Sequence, residues 1–469
     1  MGAPTSLVAR LKSFGQDHLL RFWDRLNDQE REQLAGQIES IDFGILQSLC
    51  TSQDKESSVA DVAAEALAPP AVRLGQNSEE LDASAKELGE SALRAGKVGV
   101  ILVAGGQGTR LGFDAPKGTF EIGPLAHRTL FEMHVDRLMA VMKRYGVAIP
   151  FYVMTSPATD TATRTFFAEH HSFGLPEDLL HIFCQGTMPA VDEQTGQVLM
   201  SGPAEIALSP DGHGGMLQAL DRNGCLEHAR RSGIEYFFYA QVDNPLVPLC
   251  DPTLMGHHIR IGSQMTTQVV RKRFAKEKVG NVVQIRGRVA IIEYSDLPDS
   301  VAEKTNADGS LLLWAGNIAV HVMDRRFLEQ ALSEANLPFH RARKSVSFVN
   351  AEGEVVKPSQ PNAVKYEKFI FDLLPLANNA LVVEADASEV FAPVKNAAGS
   401  PTDAPEHAQK AIIDLHSRWL QQAGADIAEG VRVEINPRWA LDGEEVAAKI
   451  LSPAEESIRI EADTYFSVS

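Results

Sequence analysis

The chain reads as an α/β protein with a mostly parallel central sheet, a helical N-terminal flank and a small C-terminal α+β unit. Three observations predict this. From Val98 onward, apolar runs at Val98–Val103, Phe151–Met154, Ile182–Cys184 and Tyr236–Val242 alternate with helical segments, the pattern of βαβ units. Each run stops in a polar or glycine-rich stretch, namely Gly105–Arg110, Thr155-Ser156, Gln185-Gly186 and Asp243-Asn244. Ligands of open α/β sheets sit at such strand ends. Finally, 469 residues exceed one typical domain and suggest two or three. The expected division is 1–95 helical, 96–399 catalytic and 400–469 a small C-terminal domain.

The elements follow in order. Leu7, Leu11, Leu19, Leu20, Phe22 and Leu26 recur near helical spacing, as do Leu34, Ile38, Ile41 and Ile45. Ser52–Ser58 is polar and loop-like, and Pro69-Pro70 breaks the next helix. Leu81, Leu88 and Leu93 mark another helix, with Gly96 as its cap. Thr129–Tyr145 is helical with Gly146 after it, and Thr155-Ser156-Pro157 opens a helix running through Phe167. A helix also follows Gly215, through Met216–Ala219. Further on, Thr266–Arg271, Val282–Ile285, Val289–Tyr294 and Leu311–Trp314 read as strands, with a turn at Asn306–Gly309. After the break at 396–403 come a helix, Glu406–Ala423, and short strands at Val431–Ile435 and Ile458–Ile460.

The formal net charge of −18 argues against a general nucleic-acid binder, which is usually basic. Any phosphate site must be locally basic against that background. The four cysteines are scattered without a C-x-x-C pair, which points away from zinc and towards a reducing compartment. No apolar run is long enough to span a bilayer, and the N-terminus lacks the apolar core of a signal peptide. The expected setting is cytoplasmic, with small-molecule substrates and neither nucleic acid nor membrane as partner.

The stretch Gly99–Thr119, GVILVAGGQGTRLGFDAPKGT, carries the first chemistry. A buried strand runs into a loop whose Gly105, Gly106 and Gly108 lack the Cβ atoms that would block a ligand, and permit positive φ. Such a loop can aim several N–H groups at one anion, with Arg110 and Lys117 adding charge. Two common phosphate motifs fail here. The G-x-G-x-x-G fingerprint finds its third glycine one residue late, at Gly112. The P-loop fails because Lys117 is followed by Gly118.

What stands, G-G-x-G-T-R-L followed by P-K-G, resembles the signature loop of sugar-nucleotide pyrophosphorylases. The later stretches FCQGTMPAVD, LSPDGHGGMLQAL, AQVDNPLV, IIEYSDL, WAGNIAVH, AVKYEKFIFD and FAPVKNAAG extend the likeness to Lys395. In this order they resemble the eukaryotic-type UDP-N-acetylhexosamine pyrophosphorylases, within the wider uridylyltransferase family that includes UDP-glucose pyrophosphorylases. That resemblance implies a Rossmann-like sheet of the nucleotide-diphospho-sugar transferase type. It also implies transfer of uridylyl from UTP to a sugar 1-phosphate, with Mg²⁺ as cofactor.

The resemblance further implies residue roles. Val103, Ala104, Gly105 and Gly106 match the segment on uracil and ribose. Arg110 and Lys117 match the triphosphate side, where cations would offset charge on the leaving pyrophosphate. Gln185 and Gly186 match the uracil-reading pair, and an amide suits uracil's donor and acceptors. Gly212 matches a UTP contact and Asp243 the metal-side aspartate. Glu293, Tyr294 and Asn317 match the acceptor-sugar pocket, and Lys365 a contact to the UTP phosphates. Phe369 and Phe371 match rings flanking an N-acetyl group, and strand alternation in KFIFD would place both on one face. Lys395 matches the lysine on the sugar phosphate.

His213 departs from the pattern. The N-acetylhexosamine enzymes typically carry Asn there, and Gly-His-Gly is closer to the UDP-glucose branch, whereas Gly215 fits the N-acetyl branch. N-acetylglucosamine 1-phosphate is the expected acceptor, with glucose 1-phosphate and N-acetylgalactosamine 1-phosphate as alternatives. A non-catalytic protein that binds a UDP-sugar is the alternative from another class.

Overall fold

The computed structural model describes residues 2–51, 61–334, 337–450 and 458–468. The stretch Ser52–Ser58, expected as a loop, lies outside the described residues. The chain folds into two compact units that interleave along the sequence. One comprises Met1–Val62, Gln185–Gln218 and Asn336–Asp372; the other comprises Ala63–Cys184, Ala219–Ala335 and Leu373–Ser469. The sequence reading expected consecutive segments instead.

The larger unit is built on one sheet. Its strands are β1 (Val98–Val103), β2 (Phe151–Thr155), β3 (Leu180–Cys184), β4 (Tyr236–Gln241), β5 (Met265–Arg271), β6 (Asn281–Ile285), β7 (Arg288–Ile292), β8 (Ala315–Asp324) and β9 (Leu381–Ala385). They run in the order β7-β6-β8-β4-β1-β2-β3, with β5 pairing both β8 and β9. Strands β4, β1, β2 and β3 are parallel, as expected from the βαβ pattern. The β8 pairings with β4 and β5, and the β6–β7 pair, are antiparallel. Parallel strands are buried on both faces, so β1 and β2 are apolar almost throughout.

Local signals explain the helices over this sheet. Thr129 and Glu132 form a capping box at the start of helix Leu130–Tyr145, and Gly146 closes it at φ 63°. Ser78 caps helix Glu79–Arg94, and Gly96 follows it at φ 66°. That helix packs against Pro252–Ile261 so closely that a Cβ on Gly256 would sit 1.6 Å from the Ala85 carbonyl oxygen. The C-terminal stretch belongs to this unit and keeps a small core around Leu420, Val433, Ile435, Val446 and Ile460.

In the smaller unit, helices Thr5–Ser13, Asp28–Ser40 and Phe43–Thr51 share one core with Val191, Val198, Met200, Ile206, Val364 and Tyr366. Its main sheet joins His340–Lys344, Ala363–Glu367 and Val191–Asp192.

Two strand expectations are corrected. Leu311–Trp314 is not a strand, because β8 begins only at Ala315. KFIFD is not a strand either: pairing ends at Glu367 and a 3₁₀ helix begins at Ile370. No helix among the described residues is long and apolar enough to cross a membrane.

Candidate active site

The loop after β1 begins beside β2. Ser156 Oγ donates to the Gly105 carbonyl at 2.7 Å, and Lys117 N–H donates to the Gly106 carbonyl at 3.0 Å. These bonds fix the carbonyls. The N–H groups of Gly105, Gly106 and Gln107 find no protein acceptor among the described residues. Val103 and Ala104 sit at the strand end, Ala104 being buried. A Cβ on Gly106 would meet nothing within 4 Å, while one on Gly108 would lie 2.7 Å from Phe113. None of these glycines uses its freedom for positive φ; in this loop only Gly112 adopts it, at 72°. The glycines therefore supply space rather than a left-handed backbone. Arg110 stands exposed on a short 3₁₀ turn, Thr109–Leu111.

Lys117 and Asp243 meet at the adjacent strand end, Nζ to Oδ2 at 3.3 Å. Buried side chains hold the β4 exit in place. His134 Nε2 bonds the Val242 carbonyl at 3.0 Å, and Arg137 donates to the carbonyls of Pro245 and Val247. Burial pushes the His134 pKa down to about 4, so its ring is neutral at neutral pH. The segment leading into Lys395 reaches the same strand end, and the Lys395 ammonium lies 5.8 Å over the Phe391 ring. Val394 N–H donates to the Asp243 carbonyl at 2.9 Å, and Asn244 Oδ1 accepts from Ala392 N–H at 3.0 Å.

Glu293 and Asn317 converge on Gly280. A Cβ there would lie 3.3 Å from Glu293 Oε1 and 3.5 Å from Asn317 Cβ. Asn317 sits where the β5–β8 register shifts between Gln268 and Val269, and Ala319 takes φ 55°. Such a bulge re-aims side chains. Asn317 Oδ1 accepts from Ala319 N–H at 3.0 Å, which fixes its amide. Tyr294 is 48% exposed.

The smaller unit gathers the remaining residues. Gln185 is buried, and Gly186 accepts from Asp211 N–H at 3.1 Å. Gly212 takes φ 86°, and its Cβ would lie 2.4 Å from the Lys368 carbonyl oxygen. His213 Nδ1 accepts from Ile370 N–H at 3.2 Å. Burial, with His340 as the secondary cause, lowers the His213 pKa to about 4, so Nε2 carries the proton and can donate. The His213 ring stacks on Phe369 at 5.2 Å, and His340 stacks on Phe369 at 4.3 Å. Phe369 and Phe371 are 5.0 Å apart. They meet through the turn into the 3₁₀ helix, not through strand alternation. Phe371 is only 3% exposed and backs the stack from the core. Lys365 lies partly buried on Ala363–Glu367, opposite Ala342.

A family model described as UTP–glucose-1-phosphate uridylyltransferase matches residues 43–413. The chain belongs to this family. UDP-N-acetylglucosamine pyrophosphorylase of Saccharomyces cerevisiae is 36% identical over 451 residues, 92% of this chain and 94% of that protein. UDP-N-acetylglucosamine diphosphorylase 2 of Arabidopsis thaliana is 34% identical over 471 residues, 94% of this chain and 91% of its own. Among solved structures, the uridine diphosphate N-acetylglucosamine pyrophosphorylase of Trypanosoma brucei superposes with TM-score 0.82 at 25% identity, over 99% of both chains. A UDP-glucose pyrophosphorylase of Leishmania major shares the fold, with TM-score 0.60 at 16% identity over 84% of this chain and 78% of that one. As a member of the uridylyltransferase family, the chain is a nucleotidyltransferase.

The resemblance in the sequence makes Mg²⁺ the expected ion. Among the described residues no group of three or more His, Cys, Asp or Glu side chains could hold a metal by itself. Asp243 offers one carboxylate beside Lys117. That donor set does not suit a resident ion. It suits one bridged to the protein through substrate phosphates and water, as Mg²⁺ commonly is.

Sequence reasoning passed over Gly280 and Asp211. Gly280 follows an ordinary loop and carries no motif. Its role appears only when β6, β7 and β8 come together. Asp211 packs against Gly186 and Gly215, 2.6 Å and 2.1 Å from their would-be Cβ atoms.

Proposed function

We propose that the protein transfers uridylyl from UTP to N-acetylglucosamine 1-phosphate, giving UDP-N-acetylglucosamine and pyrophosphate. The observation that carries this reading is the meeting of the glycine loop, Lys117 and Asp243 at neighbouring parallel strand ends of one sheet, with the segment leading into Lys395 bonded to Asp243. The names of the relatives support the N-acetylglucosamine acceptor.

A phosphate oxygen of the sugar phosphate attacks the α-phosphorus in line and forms the new P–O bond. The bond from that phosphorus to the bridging oxygen breaks, and its electron pair leaves on pyrophosphate. No covalent enzyme intermediate is needed. Arg110 and Lys117 offset charge on the leaving group, Lys365 contacts the UTP phosphates, and Lys395 holds the attacking sugar phosphate. Val103, Ala104, Gly105, Gly106 and Gly212 line the nucleotide, and Gln185 with Gly186 reads uracil. Glu293, Tyr294 and Asn317 bind acceptor hydroxyls. His213 donates from Nε2, and Phe369 lies against the N-acetyl group with Phe371 behind it. Asp243 would be the protein's carboxylate towards Mg²⁺, which would supply further charge neutralisation when bound. Residues 96–399 contain every group assigned a role here. Four free cysteines support a reducing, cytoplasmic setting.

The test is pyrophosphate release with UTP and Mg²⁺, comparing N-acetylglucosamine, N-acetylgalactosamine and glucose 1-phosphates. The reading expects the first to give the highest kcat/KM. A preference for glucose 1-phosphate overturns the acceptor assignment. UDP-sugar binding with no pyrophosphate release from any acceptor overturns the catalytic one.

A further inference from the structure

A second basic cavity lies in the larger unit, and no role assigned above uses it. It has a volume of about 300 Å³, and Arg73, Arg271, Lys272, Arg273, Ser310 and Trp314 line it. Four cations on one cavity run against the chain's net charge of −18. Three carboxylates stand near them. Glu384 pairs with Arg73 at 2.6 Å and Arg271 at 3.4 Å, Glu277 pairs with Arg273 at 2.6 Å, and Asp308 lies near Arg271.

Lys272 is different in kind. It is 4% exposed, and its ammonium bonds two neutral oxygens, Ala275 O at 3.1 Å and Asn281 Oδ1 at 2.5 Å. A buried ammonium whose hydrogen bonds go only to neutral oxygens, with the Glu277 carboxylate offsetting part of its burial from nearby, is costly and draws an anion. The cavity thus has a fixed base and two adjustable arms. Arg73 lies 3.8 Å over the Trp314 ring. Arg271 and Arg273 have side chains 61% and 66% exposed, and each can share its planar fork between its carboxylate partner, Glu384 or Glu277, and a phosphate.

We propose that this cavity binds a small phosphate-bearing metabolite, and that occupancy adjusts the acceptor-sugar pocket through Lys272. The route is short. Lys272 N–H donates to the Trp314 carbonyl at 2.8 Å. Its ammonium holds Asn281, which pairs with Gly316. Gly280, next in sequence to Asn281, accepts from Asn317 N–H at 2.8 Å. An anion that engages Lys272 loosens its hold on Asn281, and with it the placing of Gly280 against Glu293 and Asn317. The binding claim stands apart from the proposed reaction; only the effect on the acceptor rests on that reading.

The probe is inorganic phosphate, titrated calorimetrically into the full-length protein with and without saturating UDP-N-acetylglucosamine. Saturable one-site binding that persists with the nucleotide sugar, and weakens at least tenfold in the Arg271→Gln/Arg273→Gln variant, supports the site. Binding that the nucleotide sugar abolishes places phosphate in the catalytic site and overturns it. Equal, non-saturating uptake by both proteins also overturns it. The second arm measures KM with phosphate present. A shift of twofold or more for the sugar phosphate, with KM for UTP unchanged and no shift in the variant, supports the coupling. Equal shifts in both proteins overturn it. If no acceptor supports turnover, the proposed reaction fails while the calorimetric arm still decides the site.

Discussion

Two glycine-rich loops in this chain look alike in sequence and do opposite things. In the loop after β1, a Cβ on Gly106 would meet nothing within 4 Å. In the loop at Gly212–Gly215, every glycine faces the protein itself. A Cβ on Gly214 would lie 2.7 Å from backbone atoms of Lys368 and Phe369, and one on Gly215 would lie 2.1 Å from Asp211. Gly214 N–H also donates to the Lys368 carbonyl at 2.8 Å, and Lys368 N–H donates to the Asp211 carbonyl at 2.7 Å. The first loop is open at Gly106, although Gly108 within it packs against Phe113. The second is a joint that locks one backbone segment to another. A glycine cluster therefore signals close approach, but not what approaches.

Substitutions can break this comparison. The largest effect is expected beside the open loop, at its charged partner. Lys117→Met should lower kcat by roughly 10²–10³-fold, the usual scale for losing one stabiliser of developing charge, and should lower the thermal midpoint as well, because Asp243 loses its ion-pair partner. A fall in kcat below threefold would remove Lys117 from the leaving-group role. Next is Gly106→Ala, expected to keep folded stability within about 0.5 kcal/mol, as surface changes usually do, while lowering kcat/KM for UTP. Unchanged kinetics would mean that no nucleotide approaches there. Gly214→Ala should behave in the reverse sense. Its methyl meets backbone that cannot turn aside, so we expect a loss of about 1–3 kcal/mol in chemical denaturation. Stability equal to wild type would show that the joint yields.

The parallel sheet was legible because its signal is local and redundant. β1 and β2 are short apolar runs with polar ends, and the capping box of Thr129 and Glu132 marks its helix without help from the rest of the chain. Asp243 and Lys395 could be singled out by their neighbours in sequence. What brings them together is Asn244, whose side chain bonds Ala392 and Val390 nearly 150 residues away. The interleaving of the two units was not legible. Helices before Val62 carry ordinary amphipathic patterns, and nothing in them names Val191 or Tyr366 as core partners. KFIFD failed for a related reason. Its alternation fits a strand, yet Ile370 gives its N–H to His213 instead of a strand partner.

His213 offers the smallest and most specific test of the joint. Its Nδ1 accepts from Ile370, so the ring must stay neutral for the loop to hold. The folded pKa is about 4 against an ordinary 6.5. On acidification the unfolded chain therefore takes up its proton first, and stability falls as pH drops from 6.5 towards 4. Above 6.5 the ring makes no pH-dependent contribution. His213→Asn keeps an acceptor for Ile370 but cannot titrate. Its stability should match wild type at pH 7.5 and exceed it by on the order of 1–3 kcal/mol at pH 4. His134 remains in both proteins and cancels in the difference, whereas His340, whose charge acts on His213, contributes to that difference through this coupling. Parallel stability–pH curves for the two proteins would mean that protonated His213 is accommodated, and that Gly212–Gly215 is held by its backbone bonds alone. The open loop holds no histidine between Gly105 and Lys117, so whatever pH dependence separates the two proteins belongs to the closed one.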